Sequence, residues 1–194
     1  MSPLTRRSLI GRGLAGAGAL ALPGSLVAAA TAHAQSESDA ETDALERFVV
    51  LEQAGELAYS LAAEEGDLDS HAQTLFEELS IHSGDRATAF SEALDQLLVE
   101  PPDDSSDTDD YDSLSDFDPA SQQDDLLAFM IELELDAITA YEEDEPELDE
   151  PDLVRSAAQM AASHAQALVA LRILAGGKGD PTELPEPSGS ATAS

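Results

Sequence analysis

The sequence contains no cysteine among its 194 residues. Disulfide bonds, thiolate catalysis, cysteine-ligated zinc and lipid attachment through an N-terminal cysteine are therefore excluded. Aromatic residues make up only 4% of the chain, whereas hydrophobic residues as a whole make up 42% and are rich in Ala and Leu. This composition supplies enough apolar side chains for a core and favours helices.

Basic residues are also scarce: 8 Lys and Arg stand against 41 Asp and Glu, which gives a formal net charge of −33. This balance argues against nucleic-acid binding, because phosphate contacts need clustered Lys and Arg. Binding to anionic lipid is disfavoured for the same reason. Such a charge destabilises a compact state by self-repulsion unless salt screens it. We therefore expect a salt-rich, halophilic setting, with clustering of the acids in tails and one loop as the alternative explanation.

Residues 1–34 predict an export signal. Residues 5–10 (TRRSLI) resemble the twin-arginine signature, a weakly apolar Gly- and Ala-rich run follows, and residues 32–34 (AHA) fit a cleavage site. An uncleaved anchor is the alternative, but Pro23 and the glycines make this segment a poor spanning helix. We expect a mature protein that begins at Gln35, has no membrane anchor and is periplasmic, at the cell surface or secreted.

Apolar periodicity predicts four helices after the signal and a short acidic lead at residues 35–40. We expect a bundle over residues 41–176, with helices at about 41–65, 70–98, 121–143 and 151–175. Ser70 is the predicted cap of the second helix. Short connections within each helix pair imply antiparallel hairpins. The Gly-, Pro- and Ser-rich tail, residues 177–194, is expected to be disordered.

Residues 100–120 (EPPDDSSDTDDYDSLSDFDPA) join the second and third predicted helices. Their repeated Asp residues suggest calcium, but the segment lacks the glycine and the terminal Glu of a calcium-binding loop, so a solvated acidic loop is preferred. About twenty residues at ~3.3 Å each can span the ~40 Å length of such a helix. The segment therefore predicts a crossover that starts the third helix parallel to the second.

Two glutamates interrupt otherwise apolar helix faces. Glu134 lies in residues 125–141 (DLLAFMIELELDAITAY), where apolar side chains recur three and four residues apart, and Glu52 has the same setting in residues 46–59 (ERFVVLEQAGELAY). Tyr141 and Tyr59 each follow their glutamate by two turns on the same face. A buried carboxylate is costly unless it is paired, protonated or bound to a metal. The two similar segments therefore predict a duplicated helical hairpin with a polar interior site.

Two hairpins joined by a long crossover resemble the ferritin-like superfamily. The resemblance covers residues 41–176 and implies an all-α, ferritin-like four-helix bundle with the crossover between helices 2 and 3. In di-iron members, each hairpin supplies one Glu from its first helix and a Glu-x-x-His motif from its second. Glu52 and Glu134 match the first-helix positions, and His164 matches the histidine of the fourth helix. Ala161 stands where the partner Glu of His164 would be.

The second helix fits this motif in two registers that differ by about one turn. A shift of 82 positions superposes His82 on His164, whereas a shift of 78 superposes Arg86 on it. Neither register keeps the partner Glu, since Leu79 or Ser83 takes its place. Glu78 is a substitute on the same face as His82.

The surviving set suits a single Fe, Mn or Zn ion, because these ions accept mixed nitrogen and oxygen ligands. Its members are Glu52, His82, Glu134 and His164. The alternative is a metal-free network in which these groups, together with Tyr59 and Tyr141, satisfy one another by hydrogen bonds. An inward-facing Arg86 favours the network, because it could pair with a glutamate in place of a metal. His71 is expected to be exposed, and His33 leaves with the signal.

These patterns support three hypotheses. The first is an exported ferritin-like domain protein that is non-catalytic or weakly metal-binding; the chain resembles secreted families with degenerate ligands more than storage ferritins. The second is an Fe- or Mn-dependent oxidoreductase or metal-handling protein that uses the Glu/His set. The third is an acidic stress or surface protein that retains water and cations in high salt. Metal ions are the partner under the second, and a homo-oligomer is compatible with all three.

Overall fold

The computed structural model describes residues 39–176, in which the chain forms four long helices. They are α1 (Asp39–Glu65), α2 (Ser70–Gln96), α3 (Gln123–Asp144) and α4 (Pro151–Leu174). Three single-turn 3₁₀ helices lie in the connections, at Thr108–Asp110, Asp112–Leu114 and Glu145–Glu147. The all-α prediction is confirmed, and the observed helix ends lie within about two residues of the predicted ones, the usual uncertainty of such boundaries.

Residues 1–38 and 177–194 lie outside the described residues, and with them the predicted export signal, most of the acidic lead and the tail. Within residues 39–176, no helix combines the length and the apolar character that a membrane span requires.

Asp69 caps α2. Its Oδ1 accepts hydrogen bonds from the backbone N–H groups of His71 at 2.8 Å and Ala72 at 2.9 Å. The prediction of Ser70 as the cap was wrong by one residue, because Asp69 has the extended backbone of a cap and Ser70 is already helical. Asp69 also contacts the start of α3: its N–H donates to Gln123 Oε1 at 2.7 Å, and Gln123 Nε2 donates to Asp69 Oδ2 at 3.3 Å.

Contacts between α1 and α2 pair residues in opposite chain order. Ser80 Oγ donates to the carbonyl of Glu56 at 3.2 Å, and Gln73 Nε2 donates to the carbonyl of Ala63 at 3.5 Å. A later residue of α1 thus meets an earlier residue of α2, so the two helices run antiparallel.

The same argument gives the direction of α3. Its last turn meets the first half of α1, where Arg47 forms a two-point ion pair with Asp144 at 2.7 and 2.8 Å. At the other end of α1, Asp67 is bridged to Gln122. The chain order is again reversed, so α1 and α3 run antiparallel.

The connection between α2 and α3 is packed against the bundle rather than fully solvated. Tyr111 and Leu114 are only 4% and 2% exposed, and both belong to an apolar cluster of the core. Phe117 contacts Phe129 of α3 with ring centroids 5.0 Å apart. The Asp side chains of this segment are exposed, as a solvated acidic loop predicts, but three apolar side chains among them anchor the segment by burying their surface.

The core consists of two apolar clusters. Phe76 and Leu127 lie in one, and Phe48 and Phe90 lie in the other. In each helix, buried polar residues that lie between the two clusters contact one another by hydrogen bonds or ion pairs. We call these the polar layer, and its members are Glu52, Ser83, Arg86, Glu134, Ser163 and His164.

Candidate functional site: a buried polar layer

All four helices contribute to the polar layer. α1 supplies Glu52, α2 supplies Arg86, α3 supplies Glu134 and α4 supplies His164, and their exposed fractions are 1%, 6%, 2% and 5%. Groups with this burial must find their partners inside the protein, because water does not reach them.

His164 lies between the two carboxylates. Its Nδ1 is 2.7 Å from Glu134 Oε2, and its Nε2 is 3.0 Å from Glu52 Oε1. Ionised carboxylates only accept hydrogen bonds, so an imidazole that faces one at each nitrogen is best matched when both nitrogens carry a proton. The ring therefore joins α1, α3 and α4 as an imidazolium.

Two tyrosines donate hydrogen bonds to the carboxylates, each to the glutamate of the other helix. Tyr59 of α1 donates its hydroxyl proton to Glu134 Oε1 of α3 at 2.6 Å. Tyr141 of α3 donates to Glu52 Oε1 of α1 at 2.6 Å. Each helix thus gives a carboxylate and a phenol, and each phenol binds the carboxylate of the other helix. This reciprocal arrangement matches the equal spacing that the sequence shows between each Glu and its Tyr.

Arg86 supplies the second cation. Its Nε lies 2.8 Å from Glu52 Oε2, a close ion pair in which neither atom makes an aligned hydrogen bond. The ends of the guanidinium donate to Ser83 Oγ at 2.9 Å and to Ser163 Oγ at 3.5 Å. Gly55 allows α1 to come close at this level, because a Cβ there would lie 3.1 Å from Ser83 Oγ.

The charges of the layer balance. Burial by itself raises the pKa of Glu52, but the charges of His164 and Arg86 and the hydrogen bonds it accepts outweigh burial and lower that pKa to about 2. Burial lowers the pKa of His164, but Glu52 and Glu134 outweigh it and raise that pKa to about 9. Two carboxylates, one imidazolium and one guanidinium sum to zero, which is how a low-dielectric interior tolerates ionised groups.

The tyrosines remain neutral. Burial, and after it the neighbouring carboxylate charge, raises the pKa of both Tyr59 and Tyr141 well above the ordinary value. Each phenol keeps its proton and acts as a hydrogen-bond donor.

No family model, curated protein or solved structure matches this chain.

The structure brings together three of the four residues predicted as metal ligands, namely Glu52, Glu134 and His164. His82 lies on a half-buried side of α2 outside the layer, and Glu78 is exposed. The prediction that His82, or Glu78 beside it, is a ligand is therefore corrected. In α2 it is Arg86, not His82, that takes the place equivalent to His164, as in the shift of 78 positions, and Arg86 and Ser83 point inward. His71 is exposed, as expected.

The arrangement does not suit the iron or manganese that a ferritin-like resemblance implies. The two nitrogens of an imidazole point away from each other, so Glu52 and Glu134 lie on opposite sides of the His164 ring. No single ion can therefore take ligands from all three, and the Glu52 side already holds the guanidinium of Arg86. Among residues 39–176, no three His, Asp or Glu side chains form a set that could hold a metal ion.

Sequence reasoning missed Ser163, which contributes a hydroxyl to Arg86. A serine next to a histidine on a helix is too common to single out. Ser83 was noted only as the place of a missing glutamate, although its hydroxyl accepts a hydrogen bond from the guanidinium. A search for small polar residues within one turn of an inward-facing Arg could have found it.

Proposed function

We propose that this protein is an exported ferritin-like bundle with no catalytic centre, in which a closed ion network takes the place of a metal site. The observation that carries the proposal is that both nitrogens of His164 face carboxylates while Arg86 pairs with Glu52. Within the layer every charge has a partner of opposite sign, so no group of the layer is left to bind or activate a substrate. The layer joins four helices and gives the bundle one register, a role attested for buried polar groups in other helical assemblies.

The helix ends support the ferritin-like connectivity. Asp69, directly before α2, contacts Gln123 at the start of α3, so α2 and α3 begin at the same end of the bundle. An α2 helix of 27 residues is about 40 Å long. A return of residues 97–122 along the bundle follows from these two observations and supports the long crossover that ferritin-like proteins have.

Export rests on the sequence of residues 1–34, with its twin arginines, apolar run and AHA site. A double variant, Arg6→Lys with Arg7→Lys, tests this route. We expect the wild-type chain outside the cytoplasm and the variant retained inside. Equal export of both chains would reject the twin-arginine route.

Metal analysis of the exported protein tests the absence of a catalytic centre. After desalting against a weak chelator, we expect no stoichiometric Fe, Mn or Zn. Glu134→Ala and the surface variant Glu56→Ala form a matched pair. One ion per chain that is lost in Glu134→Ala but kept in Glu56→Ala would reject the proposal and favour an Fe- or Mn-dependent oxidoreductase.

The acidic surface favours a second role, as a protein adapted to retain water and cations in high salt. A groove of about 350 Å³ beside α2 is lined by Glu56, Glu92, Asp95 and Asp104, and no Lys or Arg is among its described lining residues. Burial, then the charges of Asp104 and Asp85, raise the pKa of Glu56, so these carboxylates repel one another. Salt should screen this repulsion. The urea midpoint should therefore rise from dilute buffer to molar KCl, and a flat response would reject this role.

A further inference from the structure

Arg86 is buried in the layer, and its guanidinium contacts three side chains. The side chain is 6% exposed, and Ser83 and Ser163 fix the two ends of its guanidinium. Glu52 Oε2 has no aligned hydrogen-bond donor, and the Arg86 cation at 2.8 Å is its partner. The other oxygen, Oε1, is occupied by Tyr141 and His164. One carboxylate oxygen is therefore neutralised by charge alone.

We propose that the guanidinium of Arg86 stands in for a divalent cation, and that replacing Arg86 by histidine converts the layer into a metal-binding site. The inference rests on the proposed metal-free state of the wild-type layer. It identifies Arg86 as the residue that excludes metal ions.

The ligand set follows from the positions of the atoms. Arg86 Nε and His164 Nε2 contact the same carboxylate, that of Glu52, at Oε2 and at Oε1 respectively. The Nε2 atom of a histidine is as many bonds from Cα as the Nε atom of an arginine, so Arg86→His places an imidazole nitrogen near the present Nε. Two imidazoles and one carboxylate with open positions for water are a set that binds Fe(II), Co(II) or Zn(II).

Glu134 contacts the His164 ring at Nδ1, on the side opposite to the proposed metal ligand Nε2. Its Oε2 is 2.7 Å from His164 Nδ1, and Tyr59 holds its other oxygen at 2.6 Å. A carboxylate that accepts the second N–H of a metal-bound histidine fixes the tautomer and orientation of that ring. Glu134 is therefore a positioning residue for the site and not a ligand.

Charge balance supports the exchange. In the wild-type layer, the imidazolium and the guanidinium offset two carboxylates. With Arg86 removed and a neutral imidazole at His164, as metal ligation requires, two negative charges remain, and one divalent ion restores neutrality. A buried charge without a partner costs a few kcal/mol, which corresponds to a factor of about 100 or more in binding.

Titration with Co(II) tests the proposal, because its visible absorption reports imidazole and carboxylate ligation directly. Arg86→His should bind one Co(II) per chain at least about 100-fold more tightly than wild type, the factor expected for a compensated buried charge. Adding Glu134→Gln to Arg86→His should weaken binding by about 10–100-fold without changing the ligand number. Zn(II) should raise the thermal midpoint of Arg86→His and leave that of wild type unchanged. Arg86→Met is the matched control, because it removes the cation and adds no nitrogen ligand, so it should bind Co(II) more weakly than Arg86→His.

The outcomes separate this inference from the proposed function. Folded Arg86→His that binds Co(II) no more tightly than wild type overturns the inference and leaves the metal-free wild-type layer intact. Stoichiometric binding by wild type overturns both. If Arg86→His folds only with Zn(II), the inference is supported, because metal then replaces the missing charge.

Arg86→Gln provides the test if Arg86→His does not fold, with or without metal. It keeps a neutral polar group towards Ser83 and Ser163 and leaves Glu52 and His164 to bind Co(II) with water. It should bind Co(II) at least about tenfold more tightly than wild type, because the guanidinium is gone. It should bind more weakly than a folded Arg86→His, because it lacks the second imidazole. If Arg86→His does not fold, an Arg86→Gln protein that binds Co(II) no more tightly than wild type, or that does not fold with metal present, overturns the inference.

Discussion

Raising the pH should weaken the fold through one residue, His164. In the folded protein its pKa is raised from 6.5 to about 9 by the two carboxylates that it contacts, against the opposing effect of burial. A group whose pKa is raised on folding stabilises the folded state most below its unfolded pKa. That stabilisation is lost as the pH rises from about 6.5 through about 9.

The size of the effect follows from the same two values. The rise from 6.5 to about 9 corresponds to about 3 kcal/mol, at ~1.4 kcal/mol per pKa unit. With a urea m-value of roughly 1–3 kcal/mol/M, the midpoint should fall by about 1–3 M across this range. Surface carboxylates contribute little to the difference, because they stay ionised between these pH values.

Urea unfolding followed by circular dichroism at several pH values and constant salt measures this directly. His164→Gln is the control, because it keeps a polar side chain in the layer and removes the titration. The variant should be less stable than wild type near neutral pH and nearly independent of pH up to about 9. Equal pH dependence in the two proteins would show that His164 is not the protonated link between Glu52 and Glu134.

Three further changes test separate parts of the structure by urea unfolding. Tyr141→Phe removes the hydroxyl that donates to Glu52 at 2.6 Å and should destabilise by about 1–3 kcal/mol, whereas no loss would mean that the carboxylate is satisfied without it. Glu41→Ala removes the carboxylate that accepts hydrogen bonds from the N–H groups of Asp149 and Glu150 at 2.7 and 3.1 Å. The free energy of unfolding should fall by about 1–2 kcal/mol. An unchanged urea midpoint would contradict this link between α1 and the start of α4. Leu98 has a left-handed backbone, φ 61°, and its side chain is 93% exposed. Leu98→Gly relieves the backbone strain, so the free energy of unfolding should rise by up to about 1 kcal/mol. A decrease would refute the strain argument.

Much of the fold could be predicted because the chain marks its helices clearly. The apolar stripes around Glu52 and Glu134, Pro151 at the start of α4 and the acidic turns between helices located the four helices. The packing of residues 97–122 was missed, since Tyr111, Leu114 and Phe117 are isolated apolar residues among many acids. Their burial depends on the groove that they fill, and no local pattern describes that groove.

The site was predicted in part. Glu52, Glu134 and His164 were singled out because polar groups on apolar helix faces need an interior partner. The choice between His82 and Arg86 was not decided by sequence, because the two registers differ by one helical turn and the periodicity is the same in both. Tertiary packing decides it: α1 and α2 approach closely at Gly55 and Ser83, which sets Arg86 beside Glu52.

The protonation of the His164 ring tests the central claim most directly. Nitrogen-15 NMR of labelled protein near pH 7.5, below the pKa of about 9, should show a proton on both Nδ1 and Nε2, each held by a carboxylate. An imidazole with one unprotonated nitrogen at that pH would contradict the closed network of charges and leave a lone pair free for a metal ion.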